Sequence, residues 1–296
     1  MRPFLTLFGA DPALDHLHPF ETSWLLPPGA LAALRALYAL YIFFSIFFAF
    51  GWEGTHGHGR DVARSFSFFT WITFWSDGFY FLVAAIHSFY YARTGRSVIF
   101  DRLPRFMRAL HSLFYTTITT FPFVVMIIYW PILYMYEVDL YKIAFDAWRN
   151  VSQHALPGVF ALTEILLPTT FPQPLLHLPC LIILLLAYWC VAYISRYSEN
   201  FYVYWFLNPG RHGEHSGRVT GILFAIFGAL VVVFTASWAL ICFRRRMTNG
   251  ERGVRRSVKD PEVVYDDDDD DDDDGDDNDA RRQQAVEEQE LVVRQA

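Results

Sequence analysis

The sequence predicts an all-α protein, a polytopic membrane helix bundle of about six transmembrane helices with both termini in the cytoplasm. Three features predict it: the apolar share of the chain, six apolar runs near bilayer length, and arginines gathered into two regions that six crossings put on one side. Of the 296 residues, 53% are hydrophobic and 18% aromatic, and only 19% are charged. A water-soluble domain of this size keeps much of its exterior polar, so this composition points to lipid as the solvent.

About 20 apolar residues in helical form cross the hydrocarbon core of a bilayer. The stretches that come near this run from Ala30 to Phe50, Phe68 to Tyr91, Ala109 to Tyr136, Val151 to Pro168, Leu175 to Ile194 and Thr220 to Phe243. The first and last are clean, and the fourth is the shortest. The chain therefore divides into an N-terminal cytoplasmic segment (1–29), a six-span membrane domain (30–246) and a tail (247–296).

Cytoplasmic loops carry the excess of Lys and Arg. Arg93, Arg96, Arg102, Arg105 and Arg108 lie between the second and third runs, and Arg244, Arg245, Arg246, Arg252, Arg255, Arg256 and Lys259 follow the sixth. Trp52, Trp71, Trp148 and Trp205 then fall at the opposite, non-cytoplasmic boundary, the level an amphipathic indole prefers. A signal peptide is not expected, since the apolar stretch after Arg2 ends at Asp11 and Pro12.

The net charge of −7 joins two unlike parts. From Asp260 onward there are 17 acidic and 3 basic residues, a net of −14, and the remainder carries +7. The run Asp266 to Asp274, extended by Asp276, Asp277 and Asp279, repels itself and reads as a disordered cytoplasmic tail. Solvation alone explains such a tail, and a basic protein partner or divalent ions are the alternatives it offers. The basic residues flank the spans and set orientation, so no nucleic acid is implied. Cys180, Cys190 and Cys242 lie in apolar runs and support neither a disulfide framework nor a metal site.

Ionisable groups inside a span are expensive and so mark function. They are Asp77, His87, His111, His154 and Glu164; Arg35 is expected to snorkel to the cytoplasmic face. The second and fourth runs both enter from the non-cytoplasmic side, so Thr70 and His154, each near the start of its run, share a depth. A hydroxyl and an imidazole at one level suit nucleophilic catalysis, although a Thr there more often caps a helix and a boundary His is more often structural. Asp77 follows Thr70 by two turns, about 10 Å deeper on the same face, as a water- or substrate-filled cavity would require. Glu164 sits about 80° around the helix from His154, and a structural hydrogen bond is its simpler role.

Other motifs are weak. His56 and His58, with His16, His18, His212 and His215, match no metal-ligand spacing, so neither a metal nor a cofactor is expected. Asn150-Val151-Ser152 fits the glycosylation pattern but sits against the fourth run.

Across residues 60 to 245 several stretches together resemble the androgen-induced-gene family of integral membrane proteins, whose characterised members hydrolyse fatty acid esters of hydroxy fatty acids, with the fungal branch nearest. Ser65-Phe66-Ser67-Phe68-Phe69-Thr70 is similar to the family's lead into a span, and the resemblance makes Thr70 the nucleophile. His154 with Glu164 ten residues on is similar to its second motif, which makes His154 the catalytic base. Tyr202-Val203-Tyr204-Trp205-Phe206-Leu207 resembles an aromatic element after the fifth span, with Trp205 where the family has Pro. The residues around His154, Val151-Ser152-Gln153 before and Ala155-Leu156 after, depart from the animal members.

The resemblance implies an intramembrane threonine hydrolase of lipid esters in the endoplasmic reticulum, with Thr70 and His154 catalytic; Glu164 from the second motif and Asp77 from its spacing are the supporting candidates. Two other classes remain open: a b-type haem protein using His87, His111 or His177 as axial ligands, and a non-catalytic scaffold working through the acidic tail.

Overall fold

The computed structural model describes residues 2–134 and 143–248. The acidic run and the basic residues beyond 248 lie outside the described residues, as does the predicted end of the third run at Tyr136. The described chain is helical, with one isolated β-bridge between Ser23 and Pro168.

In order, the helices are α1 (Arg2–Leu7), α2 (Pro12–Asp15), α3 (Pro28–Thr55), α4 (Gly59–Ser65), α5 (Phe69–Thr94), α6 (Arg105–Ile118), α7 (Phe121–Ile128), α8 (Ala144–His154), α9 (Leu156–Leu166), α10 (His177–Glu199) and α11 (Ser216–Met247). Local chemistry sets their ends. Pro28 sits in the first turn of α3, where a missing N–H costs nothing. Gly95 closes α5 in the left-handed region at φ 66°, its N–H bonded to the Tyr91 carbonyl.

Among the described residues, five helical segments are long and apolar enough to cross a membrane: Pro28–Thr55, Phe69–Thr94, Arg105–Leu133, His177–Glu199 and Ser216–Met247. They match five of the predicted runs and extend most of them by a few residues. The fourth run differs. It is two 11-residue helices, α8 and α9, meeting at Ala155. Pro157 has no N–H to bond the Gln153 carbonyl, so the helix cannot continue unbroken. Each half rises only about 16 Å, and the pair together about 34 Å.

The pair nevertheless runs from one end of the bundle to the other. At its start Arg149 pairs with Glu53 at the end of α3. At its finish Glu164 pairs with Arg35 near the beginning of α3, and Ser23 donates to the Leu167 carbonyl at 2.6 Å. The N-terminal segment closes this lower end: Arg105 donates to Thr6 (2.9 Å), Arg108 pairs with Asp15 (3.1 Å), and Thr22 bonds Thr169 (2.6 Å). The core lies between α3, α5, α6 and α9, around Ile42, Phe74, Phe81, Tyr115 and Ile165.

Arg35 does not snorkel. It is 1% exposed, and its guanidinium takes both carboxylate oxygens of Glu164, the Phe20 carbonyl (2.6 Å) and Ser88 Oγ (2.6 Å). Tyr80 donates to the same carboxylate at 2.8 Å. A guanidinium this far inside keeps its charge only against a buried partner, and the fork geometry of a carboxylate supplies one. Nearby, burial pushes the Glu21 carboxyl up to about 7, against the pull of Ser97 and Arg35.

Arg35→Ala or Glu164→Ala strands the other charge and lowers stability by about 3–5 kcal/mol, while the apolar pair Arg35→Met/Glu164→Leu loses less than either single change; thermal unfolding in detergent compares the three. Glu21 binds its proton more tightly folded than unfolded, so its cost to stability grows as pH rises from about 4.5 through about 7. Glu21→Gln therefore raises the unfolding temperature at pH 8, and the gain fades toward pH 4.5.

Candidate active site

Thr70 lies in the first turn of α5, after Phe68 as N-cap. Capping is not its role, since no side chain caps this helix. The turn carries the positive end of the helix dipole, which favours negative charge on a nearby oxygen. The Phe69 N–H donates to the Tyr204 hydroxyl at 3.2 Å, and that hydroxyl neighbours both the backbone and the side chain of Thr70. Tyr188 donates to the Ser67 carbonyl at 3.1 Å, and Ser195 Oγ donates to Ser67 Oγ at 2.8 Å. The segment leading into α5 is thus held from α10 and from the loop after it.

His154 is the last residue of α8, next to the break at Ala155. Its Nδ1 lies 3.0 Å from the Asn150 carbonyl oxygen. A carbonyl only accepts, so Nδ1 carries the proton and Nε2 keeps its lone pair. The ring stacks on Tyr129, with centroids 3.5 Å apart and planes at 10°. Tyr129 donates to Asn150 Oδ1 at 2.7 Å, and Asn150 Nδ2 donates to the Asp146 carbonyl at 2.9 Å. Tyr129 opens a short π-helical turn, Tyr129–Leu133, around Pro131. Such turns recur at functional sites because they re-aim one side chain without ending the helix. Asn150 is buried with its amide engaged, so the glycosylation pattern there is closed to modification.

Thr70 and His154, 8% and 7% exposed, line one cavity of about 790 Å³ at the upper end of the bundle. Its mouth holds charged groups, among them Arg149, Glu53, Arg64 and Asp61, and its volume is in the range of ordinary ligand sites. A second, almost wholly apolar pocket of about 70 Å³ adjoins it. Thr70, Tyr129, Leu133 and Tyr204 belong to both walls. The threonine therefore sits where a larger chamber carrying charged groups meets an almost wholly apolar one.

The two supporting carboxylates are not part of this arrangement. Asp77 is 2% exposed and lines neither chamber, and its Oδ1 has no hydrogen-bond partner among the described residues. The two-turn stripe that joined it to Thr70 leaves the cavity wall before it reaches Asp77. Glu164 belongs to Arg35, in the half of the bundle away from His154.

His87 and His111 do pack together, with centroids 5.6 Å apart. Phe100 meets both rings edge-on, and Phe20 meets His111 at 4.8 Å. These rings occupy the space a haem macrocycle would need. His177 is turned to Thr116 (2.7 Å) and the Phe8 carbonyl (3.3 Å). At the cavity mouth Glu53, His58 and Asp61 bring ligand-type atoms within 4.8 Å of one another, but the Glu53 carboxylate is already paired with Arg149.

The sequence alone assigns no role to Tyr129, Asn150 or Tyr204. Tyr204 stands in the aromatic stretch that carries part of the family resemblance, and its approach to Thr70 needs coordinates to be seen. No protein-family model, curated protein or solved structure matches this chain.

In a background lacking Cys180, Cys190 and Cys242, a water-soluble maleimide is expected to label Thr70→Cys and His154→Cys and to spare Asp77→Cys by at least about tenfold in rate, because thiol reactivity follows access to solvent. Equal labelling of all three would contradict the cavity boundary drawn above.

Proposed function

We propose that the chain is an intramembrane threonine hydrolase of lipid esters, a function that its resemblance to the androgen-induced-gene family implies. The reading is supported by Thr70 and His154 lining one cavity and by the contact of His154 Nδ1 with the Asn150 carbonyl, which turns Nε2 into the available base. The broken pair α8–α9 counts as the sixth crossing, so both termini are cytoplasmic and the cavity opens on the other side. The membrane is that of the endoplasmic reticulum.

A lipid ester enters from the bilayer with its acyl chain toward the apolar pocket and its carbonyl beside Thr70. His154 Nε2 takes the hydroxyl proton as Thr70 Oγ1 adds to the carbonyl carbon. The tetrahedral intermediate collapses, the bond to the alcohol oxygen breaks, and His154 returns the proton to that oxygen. Water from the larger chamber then gives a proton to His154 and its oxygen to the acyl carbon, which frees the acid and restores Thr70. The Asn150 carbonyl holds the imidazole in the required tautomer throughout, and the Tyr129 ring holds its plane.

Purified protein is expected to react with a fluorophosphonate probe and to turn over a long-chain ester. Thr70→Ala abolishes labelling and turnover, and His154→Ala lowers turnover by about 10²–10⁴-fold. Undiminished labelling of the Thr70 variant removes the nucleophile assignment, and equal turnover by all three proteins removes the mechanism.

A further inference from the structure

The hydrolytic cycle places a negative charge on the carbonyl oxygen while Thr70 is bonded to the carbonyl carbon, and neither Thr70 nor His154 can stabilise it. Thr70 is the attacking group, and His154 is occupied with the proton. The charge develops within a bond length of the reacting carbon, so its partner must already stand next to Thr70.

Tyr204 is the side chain in that position. It follows α10 in the loop that closes the upper end, and it lies on the shared wall of both chambers, as Thr70 does. Its hydroxyl oxygen accepts the Phe69 N–H at 3.2 Å and neighbours the backbone and hydroxyl of Thr70. With lone pairs turned toward the first turn of α5, the hydroxyl has one proton left to give. Tyr188 directs its own proton to the Ser67 carbonyl and also engages the Tyr204 hydroxyl, so its oxygen is the acceptor at which the Tyr204 proton rests. Directed at Tyr188, the proton of Tyr204 lies within one rotation of the hydroxyl from an acceptor arriving at Thr70. Burial also holds the Tyr204 phenol above its ordinary range, so it stays protonated near neutrality and acts as a donor.

We propose that Tyr204 is a catalytic residue of this site, whose hydroxyl donates a hydrogen bond to the oxyanion formed when Thr70 attacks the ester. The inference rests on the hydrolase reading above and adds a group to it. As Oγ1 bonds to the carbonyl carbon, the π pair of the C=O moves to oxygen, and Tyr204 O–H turns from its resting partner to that oxygen. The proton stays on Tyr204. When the pair returns and the alcohol oxygen leaves, His154 supplies the proton the leaving group needs, and Tyr204 relaxes to its resting bond. The Phe69 N–H steadies the phenol oxygen through the cycle and makes its remaining proton a stronger donor, as linked hydrogen bonds do.

The test uses full-length protein in detergent with two esters of one fatty acid, a 4-nitrophenyl ester and an unactivated alkyl ester. Fluorophosphonate labelling carried to saturation counts folded, competent sites in each variant, so kcat is expressed per labelled site and partial misfolding of a variant is corrected for. Tyr204→Phe is expected to lower kcat on both esters by about 10²-fold or more, with KM within about threefold of wild type, because the oxyanion forms whatever the leaving group. The rate of labelling, as distinct from its extent, falls as well, since the probe develops charge at its phosphoryl oxygen.

Wild-type kcat on both esters overturns the proposal, as does a loss confined to the alkyl ester, which would make Tyr204 an acid for the leaving group. Thr70→Ala is measured beside it. A dead Thr70 variant with a normal Tyr204 variant overturns the role of Tyr204 alone, whereas an active Thr70 variant overturns the hydrolase reading and the Tyr204 proposal with it.

Discussion

The buried ion pair of Arg35 with Glu164 is the interaction on which the upper part of the molecule depends. A helix broken at mid-length keeps few backbone hydrogen bonds across the break, here those of Ala155 to the Val151 carbonyl (3.0 Å) and of Val159 to the Ala155 carbonyl (3.4 Å). Its halves must be held separately. Glu164 anchors α9 to α3 through the guanidinium and to α5 through Tyr80, while Arg149 with Glu53 and Tyr41 with Ser152 (2.7 Å) anchor α8 to the same α3. His154 stands at the joint between two anchored halves. Its placement thereby depends on α3, although α3 contributes no residue to the proposed catalytic pair.

Thr70 is held by a different principle. It occupies the start of a long helix, where free N–H groups are the rule, and the aromatic residues of α10 and the following loop have come to those groups. Phe69 packs on Phe121 and Tyr188, and Phe68 packs on Tyr204. One reactive group is therefore fixed by charge pairing and the other by aromatic packing and hydrogen bonds to backbone. Rigid placement of both is what a near-attack geometry demands, since a misplacement of about 1 Å costs about 10²-fold in rate.

The helices were readable in the sequence wherever hydrophobicity alone decides them. Five apolar runs appear in the structure with their ends shifted by a few residues, because lipid-facing segments leave a signal in every residue. The break at Ala155 was legible only as a short, doubtful run, though Pro157 announces it once the coordinates are known. Shared depth was also legible, since helix direction and residue spacing place Thr70 and His154 at one end. What did not transfer was partner identity. Arg35 lies near the start of its run and so looked able to reach water, but reach along a helix says nothing about what stands beside it, and Glu164 is 129 positions away in sequence. Asp77 differs for the related reason that spacing fixes its angle around α5 but not whether that angle faces a cavity or packed protein.

The two chambers explain why such a site would stand at the end of a bundle rather than at its middle. Ester hydrolysis needs an acyl chain, which resides in hydrocarbon, and a water molecule, which does not. A nucleophile deep in the apolar pocket would meet the chain and never the water, and one on the charged mouth would meet water and no carbonyl. Thr70, on the wall common to both spaces, can meet each in turn. On the proposed reading, the break in α8–α9 serves the site. A straight helix would keep the His154 backbone bonded in line with its neighbours, whereas the break lets the ring lie flat on Tyr129, on the wall that also belongs to both chambers, with Nε2 free to act.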